Sequence, residues 1–269
     1  MRICFHTHCF PDALAPRAIK ALADTAEPCG YRPHTDGTAA GTVAYLKKAG
    51  IDAALVCNIA TNTHQERKVN DFAVSLAKSD LPLFAAGSVH PDGERPEEEL
   101  DRLQAAGICG IKIHPDYVGI DITDPRFDRI FSLAEERKMF VVTHTGFDPV
   151  SPTHIHATAQ GLLEVVRRHP NLTLIAAHMG GPRQSDEVLR LLAGTPIWFD
   201  TSLCAIRPEE RENLLRLLRE HSHERILFGT DTPWSYPEKE VDFVESAGLS
   251  EQARENIFHR NAERLLRLE

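Results

Sequence analysis

His6 and His8 stand two residues apart at the end of the apolar run Ile3-Cys4-Phe5. Side chains two apart on a strand share a direction, so both imidazoles would project toward one point. The chain holds 14 histidines, and placement has to select among them. His90, His114, His144 and His178 each close a strand-like run, and Asp231 occupies the matching place on the last such run. Two neutral imidazoles side by side suit a borderline ion such as Zn²⁺, and a carboxylate such as Asp231 lowers the net charge of the site. A single histidine at a strand end is more often a hydrogen-bonded core or rim residue. The case for a metal rests on several such ends meeting.

The elements that must bring them together alternate along the chain. Strands are expected over 2–8, 53–59, 83–89, 108–114, 139–144, 173–178, 196–201 and 225–230, with amphipathic helical stretches between them. Asp124-Pro125 reads as a helix cap and first turn, and Gly50, Gly107 and Gly248 close helical stretches. Strand–helix alternation implies parallel βαβ units, and eight such units in about 250 residues match a (β/α)8 barrel. A doubly wound sheet would advertise a Gly-rich phosphate turn, and no GxGxxG or GxxxxGK[ST] occurs. The expectation is therefore α/β, one TIM barrel spanning 1–269, with its active site where the strands' C-terminal ends converge. The stretch 26–37, rich in Pro, Gly, His and Asp, reads as a long first βα loop shaping that face.

A formal charge of −9 argues against a nucleic-acid partner, which needs clustered Lys and Arg. No apolar stretch approaches the roughly 20 residues that span a bilayer, and no basic n-region or cleavage site stands before the run Ile3-Cys4-Phe5. A cytoplasmic protein with a small-molecule substrate is expected, and a homodimer stays open. The cysteines at 4, 9, 29, 57, 109 and 204 lack CxxC spacing and read as reduced core thiols. GxSxG and HExxH are absent, which disfavours a serine hydrolase and a helix-borne zinc protease.

Phe5-His6-Thr7-His8, Gly110-Ile111-Lys112-Ile113-His114-Pro115, Val142-Thr143-His144-Thr145-Gly146, Ala177-His178-Met179-Gly180-Gly181 and Phe228-Gly229-Thr230-Asp231-Thr232-Pro233-Trp234 together resemble the amidohydrolase superfamily, most closely its "amidohydrolase 2" branch. The resemblance implies that His6, His8, His144 and Asp231 hold the metal. His178 then acts on the substrate or its attacking water, or binds a second ion together with Lys112. Lys112 stands where relatives place a bridging glutamate or carboxylated lysine. It reads as an unmodified ammonium facing the substrate, with a carbamate or a structural ion pair as alternatives. His114 and Trp234 are further candidates for substrate contact, and Asn261 resembles a structural signature of the C-terminal helix. One Zn²⁺ is expected, with Mn²⁺ and Fe²⁺ left open.

An ion with a free coordination position would lower the pKa of water toward about 7. Asp231 as general base and His178 at the developing oxyanion would then complete hydrolysis of an amide, ester or lactone. The same branch holds non-oxidative decarboxylases and hydratases of unsaturated or aromatic acids, which form the alternative. A non-catalytic scaffold with a closed structural metal is the third.

Overall fold

The computed structural model describes residues 1–268. Eight strands appear where the alternation placed them: β1 (Ile3–Thr7), β2 (Ala53–Cys57), β3 (Leu83–Ala86), β4 (Gly110–Ile113), β5 (Phe140–Thr143), β6 (Leu174–Ala176), β7 (Trp198–Asp200) and β8 (Ile226–Leu227). All named pairings are parallel and in chain order, β1-β2-β3 in one sheet and β4 through β8 in the other. Two seams join the sheets. Gly87 N–H donates to the Gly110 carbonyl at 3.0 Å, and Lys112 N–H donates to the Gly87 carbonyl at 2.8 Å. On the other side Phe5 N–H reaches the Phe228 carbonyl at 2.6 Å, and Asp231 N–H reaches the His6 carbonyl at 2.8 Å. The ring of strands is the TIM barrel expected from the sequence.

Local signals terminate the helices as predicted. The Asp124 carboxylate accepts from Arg126 N–H at the head of the helix Pro125–Glu136. Gly50 and Gly107 end their helices at φ of 70° and 83°, left-handed values that cost a residue without Cβ little. The first βα connection differs from the reading. Its alanine-rich segment, a strong helix former, makes the helix Ala15–Ala26, and a single 3₁₀ turn covers Glu27–Cys29. The irregular stretch 26–37 therefore follows a helix rather than β1 itself.

Apolar burial divides into two clusters. One lies between the strands and the surrounding helices and contains Val56, Ile111, Ile113, Phe127, Phe131, Val141, Phe199 and Phe228. The other collects the inner faces of the strands, with Phe5, Leu55, Cys57, Phe140, Val142, Ile175 and Leu227, and is met by Ala262 and Leu266 of the C-terminal helix. Lys112 pairs in register with Val142, so its side chain enters the barrel where an aliphatic residue would be expected. Asn261 anchors that last helix by donating to the carbonyls of His223 and Ile226 at 2.8 and 2.7 Å, a structural role. Cys4, Cys9, Cys57 and Cys204 are buried thiols, whereas Cys29 is exposed and Cys109 half-buried. Among the described residues no helix is long and apolar enough to cross a membrane.

Candidate metal centre

The pairing of β1 with β2 shifts register between Cys4 and Thr7. Irregularities of this kind re-aim side chains beside active sites. Here strict alternation fails: Phe5 belongs to the inner apolar cluster, yet His6, one residue on, also faces the site. His6 Nδ1–H donates to Asp200 Oδ2 at 2.8 Å. His8 Nδ1–H donates to the Cys57 carbonyl at 2.8 Å. Each bond fixes the tautomer that leaves Nε2 as a bare lone pair, the arrangement typical of metal-binding histidines.

Both Nε2 atoms face one carboxylate oxygen. Asp231 Oδ1 lies 3.5 Å from His6 Nε2 and 3.1 Å from His8 Nε2, and it is buried without a hydrogen-bond partner among the described residues. Three electron-rich atoms turned on one another suit a cation between them, and the Lys112 ammonium reaches only one of them, His6 Nε2 at 3.3 Å. Ligands about 2.0–2.2 Å from a tetrahedral ion stand about 3.3–3.6 Å apart; the 3.5 Å spacing falls in that range and the 3.1 Å spacing just below it. The residues present fit a divalent metal. Asp231 holds φ at 60°, a sparsely populated region for a residue with Cβ, and its N–H is tied to the His6 carbonyl. The strain points the carboxylate at the histidine pair.

His178 and His144 occupy the ends of β6 and β5. His178 Nδ1 is 2.7 Å from Ser202 Oγ, and that hydroxyl donates to Asp200 Oδ1. The serine oxygen therefore accepts from His178 Nδ1–H, and His178 Nε2 in turn accepts from His144 Nδ1–H at 3.2 Å. The His178 ring stacks on His6 at 5.0 Å. His178 and Met179 hold φ of 59° and 52°. Buried Arg207 clamps this turn, donating to the carbonyls of His178 and Gly181 at 2.7 and 2.9 Å. The donor nitrogens of His144 group with His114 and Asp148 rather than with the first trio. His144 Nε2 is 3.6 Å from Asp148 Oδ2 and 4.0 Å from Asp116 Oδ2, while His114 Nε2 is 3.4 Å from the same Asp148 oxygen.

Lys112 is 1% exposed, and its Nζ lies 3.3 Å from His6 Nε2. Burial lowers its ammonium below the usual lysine range, against the pull of nearby Asp200 and Asp231. Burial also drives the imidazoles of His6, His114, His144 and His178 well below their ordinary value. The rings are thus neutral donors at neutral pH, as metal ligation requires. Burial raises Asp231 in turn, with His8 and Lys112 opposing.

His90, His154 and His156 serve structure. His90 Nδ1 accepts from Asp92 N–H at 3.1 Å while its own N–H donates to Glu66. His154 pairs with Asp121 at 2.7 Å in an exposed position. His156 turns inward and holds Asp116 Oδ1 at 3.0 Å. Trp234 and Phe147 line a cavity of about 370 Å³ beside Tyr31, Arg32, Arg183 and Arg207. The Tyr117 ring packs tilted against His114, with centroids 4.2 Å apart. Sequence reading did not single out Asp200, Ser202, Asp116 or Asp148. Asp200 had a usable signal, because it too falls at a strand's C-terminal end.

Gly146 and Gly181 explain two of the quoted motifs. At φ of 75° and 96° the loops after β5 and β6 pass so close that a Cβ on Gly181 would meet the Thr145 carbonyl oxygen. A Cβ on Gly146 would come within 2.5 Å of the Gly181 backbone.

The profile of the amidohydrolase family matches residues 3–268. The chain belongs to that family, and it is an enzyme of metal-dependent TIM-barrel type. Three solved structures are similar over nearly their full length. An uncharacterised TIM-barrel protein from Bordetella bronchiseptica shares 17% identity, with a TM-score of 0.78 over 99% of this chain and 98% of that one. A candidate 2-pyrone-4,6-dicarboxylic acid hydrolase from Pseudomonas putida shares 18%, with a TM-score of 0.68 over 100% and 98%. A dihydroxybenzoic acid decarboxylase from Polaromonas sp. JS666, with manganese and 2-nitroresorcinol bound, shares 16%, with a TM-score of 0.72 over 99% and 97%. No curated protein sequence matches the chain significantly.

Proposed function

We propose that the protein is a metal-dependent hydrolase that cleaves an amide, ester or lactone of a small molecule. The observation that carries the reading is the buried Asp231 Oδ1, without a hydrogen-bond partner among the described residues, facing the Nε2 atoms of His6 and His8 at 3.5 and 3.1 Å. His6, His8 and Asp231 would hold one divalent ion, with His144 added as the family resemblance implies. Zn²⁺ suits two imidazoles and a carboxylate, and Mn²⁺ suits the same donors when it is the available metal. When bound, such an ion polarises a carbonyl and acidifies water.

The chain's own groups supply the proton handling. Burial biases Asp231 toward taking up a proton, which fits a general base that later returns it to the leaving group. His178 is held by Ser202 with Nε2 directed inward, placed to stabilise negative charge on the reacting oxygen once protonated. Buried Lys112 adds positive charge at the floor, 3.3 Å from His6 Nε2, and its ammonium can hold a carbonyl or carboxylate against the ion. Lys112 also sustains a second reading, decarboxylation, since a fixed cation beside the metal would position a carboxylate without an attacking water.

The deciding experiment combines metal analysis of the purified protein with parallel assays of ester, lactone and amide hydrolysis and of CO₂ release. The hydrolase reading expects about one metal per chain and turnover that is lost on chelation and restored by Zn²⁺ or Mn²⁺. CO₂ release without hydrolysis replaces it with the second reading. Full activity in metal-free protein overturns both.

A further inference from the structure

The helix Pro237–Glu245, which follows β8, buries a carboxyl that none of the proposed chemistry uses. Glu240 is 0% exposed. Its Oε2 accepts from Ala205 N–H at 3.0 Å, in the loop after β7. Its Oε1 has no hydrogen-bond partner among the described residues. A buried carboxylate without a cation is costly, and a group so placed keeps its proton instead. Burial pushes the Glu240 carboxyl well above its ordinary value, and the like charge of Asp231 disfavours ionisation further.

The neighbour that this carboxyl meets makes the same demand by geometry. The Ser235 hydroxyl lies beside it, in the loop after β8, and is equally buried. A hydroxyl has one proton to give, and Ser235 gives it to the Thr230 carbonyl. What it turns on Glu240 is therefore a lone pair. Two acceptors face each other, and a proton on the carboxyl joins them.

That bond does not stand alone. The Thr230 carbonyl belongs to the peptide whose N–H is that of Asp231, and this N–H donates to the His6 carbonyl at 2.8 Å. The peptide is thus held on both sides, by Ser235 and by β1. Its orientation sets the φ of 60° at Asp231, the left-handed value that turns the carboxylate on His6 and His8. Through its other oxygen Glu240 holds Ala205, in the same loop as Ser202, whose hydroxyl orients His178.

Resting on the assignment of Asp231 to the metal made above, we infer that Glu240 is a neutral carboxylic acid that donates to Ser235, accepts from Ala205, and aims Asp231 at the ion by joining the loops after β7 and β8. It is a positioning residue, and it acts as a donor–acceptor pair rather than as a charge. Glutamine offers the same pair in the same shape, so it should replace Glu240. Leucine, similar in volume but without either function, should not.

The test is made on the metal-loaded protein in neutral buffer. An infrared difference spectrum of wild type minus Glu240→Gln should show the carbonyl stretch of a protonated carboxylic acid. In Ser235→Ala that band should move to higher frequency, because its acceptor is lost. Competition with a chromophoric chelator should give Glu240→Gln a metal affinity within about twofold of wild type, and Glu240→Leu and Ser235→Ala one about tenfold weaker, the low end for residues that orient ligands. Ser235→Ala leaves the buried carboxyl in place and so tests the link even where Glu240→Leu fails to fold. Absence of the acid band overturns the inference, as does a Glu240→Gln protein that holds metal as weakly as Ser235→Ala. Unchanged affinity in both Glu240→Leu and Ser235→Ala overturns it too. None of these readouts depends on turnover, so a protein that meets them and hydrolyses nothing refutes the proposed hydrolase alone.

Discussion

Two clusters of histidine and aspartate share the mouth of this barrel, and they are built differently. In the first, from β1 and β8, His6 and His8 have one nitrogen tied behind by Asp200 and the Cys57 carbonyl. Their other nitrogen faces Asp231, with Lys112 Nζ also 3.3 Å from that of His6. In the second, around β4 and β5, His114 and His144 stack face to face at 4.2 Å and share Asp148. There the bare atoms, His144 Nε2 and Asp116 Oδ2, lie 4.0 Å apart. Rigid support behind and lone pairs in front mark the cluster proposed to hold the ion. The other is a reserve of charge that orients His144 toward His178.

The comparison can be broken at several points. Asp231→Asn removes the anion from the first cluster, and a fall in kcat on the order of 10³-fold is expected, together with reduced metal content. Near-native turnover with metal retained would dissolve the distinction. Asp200→Ala unties His6 Nδ1 and the His178 turn together, and metal affinity should fall about 10–100-fold, the range for orienting partners of ligand histidines. Competition with a chromophoric chelator reads this directly. Asp148→Asn should weaken metal binding by less than about tenfold, below that range. A loss as large as that of Asp200→Ala would move His144 and its support into the primary ligand set.

A last effect concerns acid stability and separates loss of fold from loss of ion. Away from the site, buried His221 is pushed down to about 4 by desolvation. It is held between the Gly194 N–H and the Ile197 carbonyl. The unfolded chain takes up that proton below about 6.5 while the folded chain resists until about 4, so the contribution is full above 6.5 and drains away between those values. The integrated effect is about 3 kcal/mol. Denaturation of metal-free protein at pH 7 and pH 4 should show the decline, and His221→Asn should flatten it.

Much of the barrel was legible because β-strand burial and helix amphipathicity repeat at different periods along the chain. The eight strand positions follow from that contrast, as do the caps at Asp124, Gly50 and Gly107. The helix Ala15–Ala26 was not read, since alanine contrasts weakly with its neighbours in either period. In the site, His6, His8 and Asp231 were found because their spacing and strand ends bring them to one axis. The parts that escaped lie one layer out. Ser202 and Asp148 follow strand ends by two and five residues, and where a loop side chain turns depends on packing rather than on period. The irregular register of β1 was invisible for the same reason. Strict alternation would have sent Phe5 and His6 to opposite faces.

Gly146 and Gly181 bear on how such a protein can change over generations. With the loops after β5 and β6 in backbone contact at those two positions, neither loop can lengthen or shift at its root without displacing the other, and His144 and His178 move with them. Variation is admitted farther out, where Phe147 and Arg183 face the cavity. A new substrate can be acquired by exchanging side chains at the tips, while the histidines beneath are inherited as one locked pair.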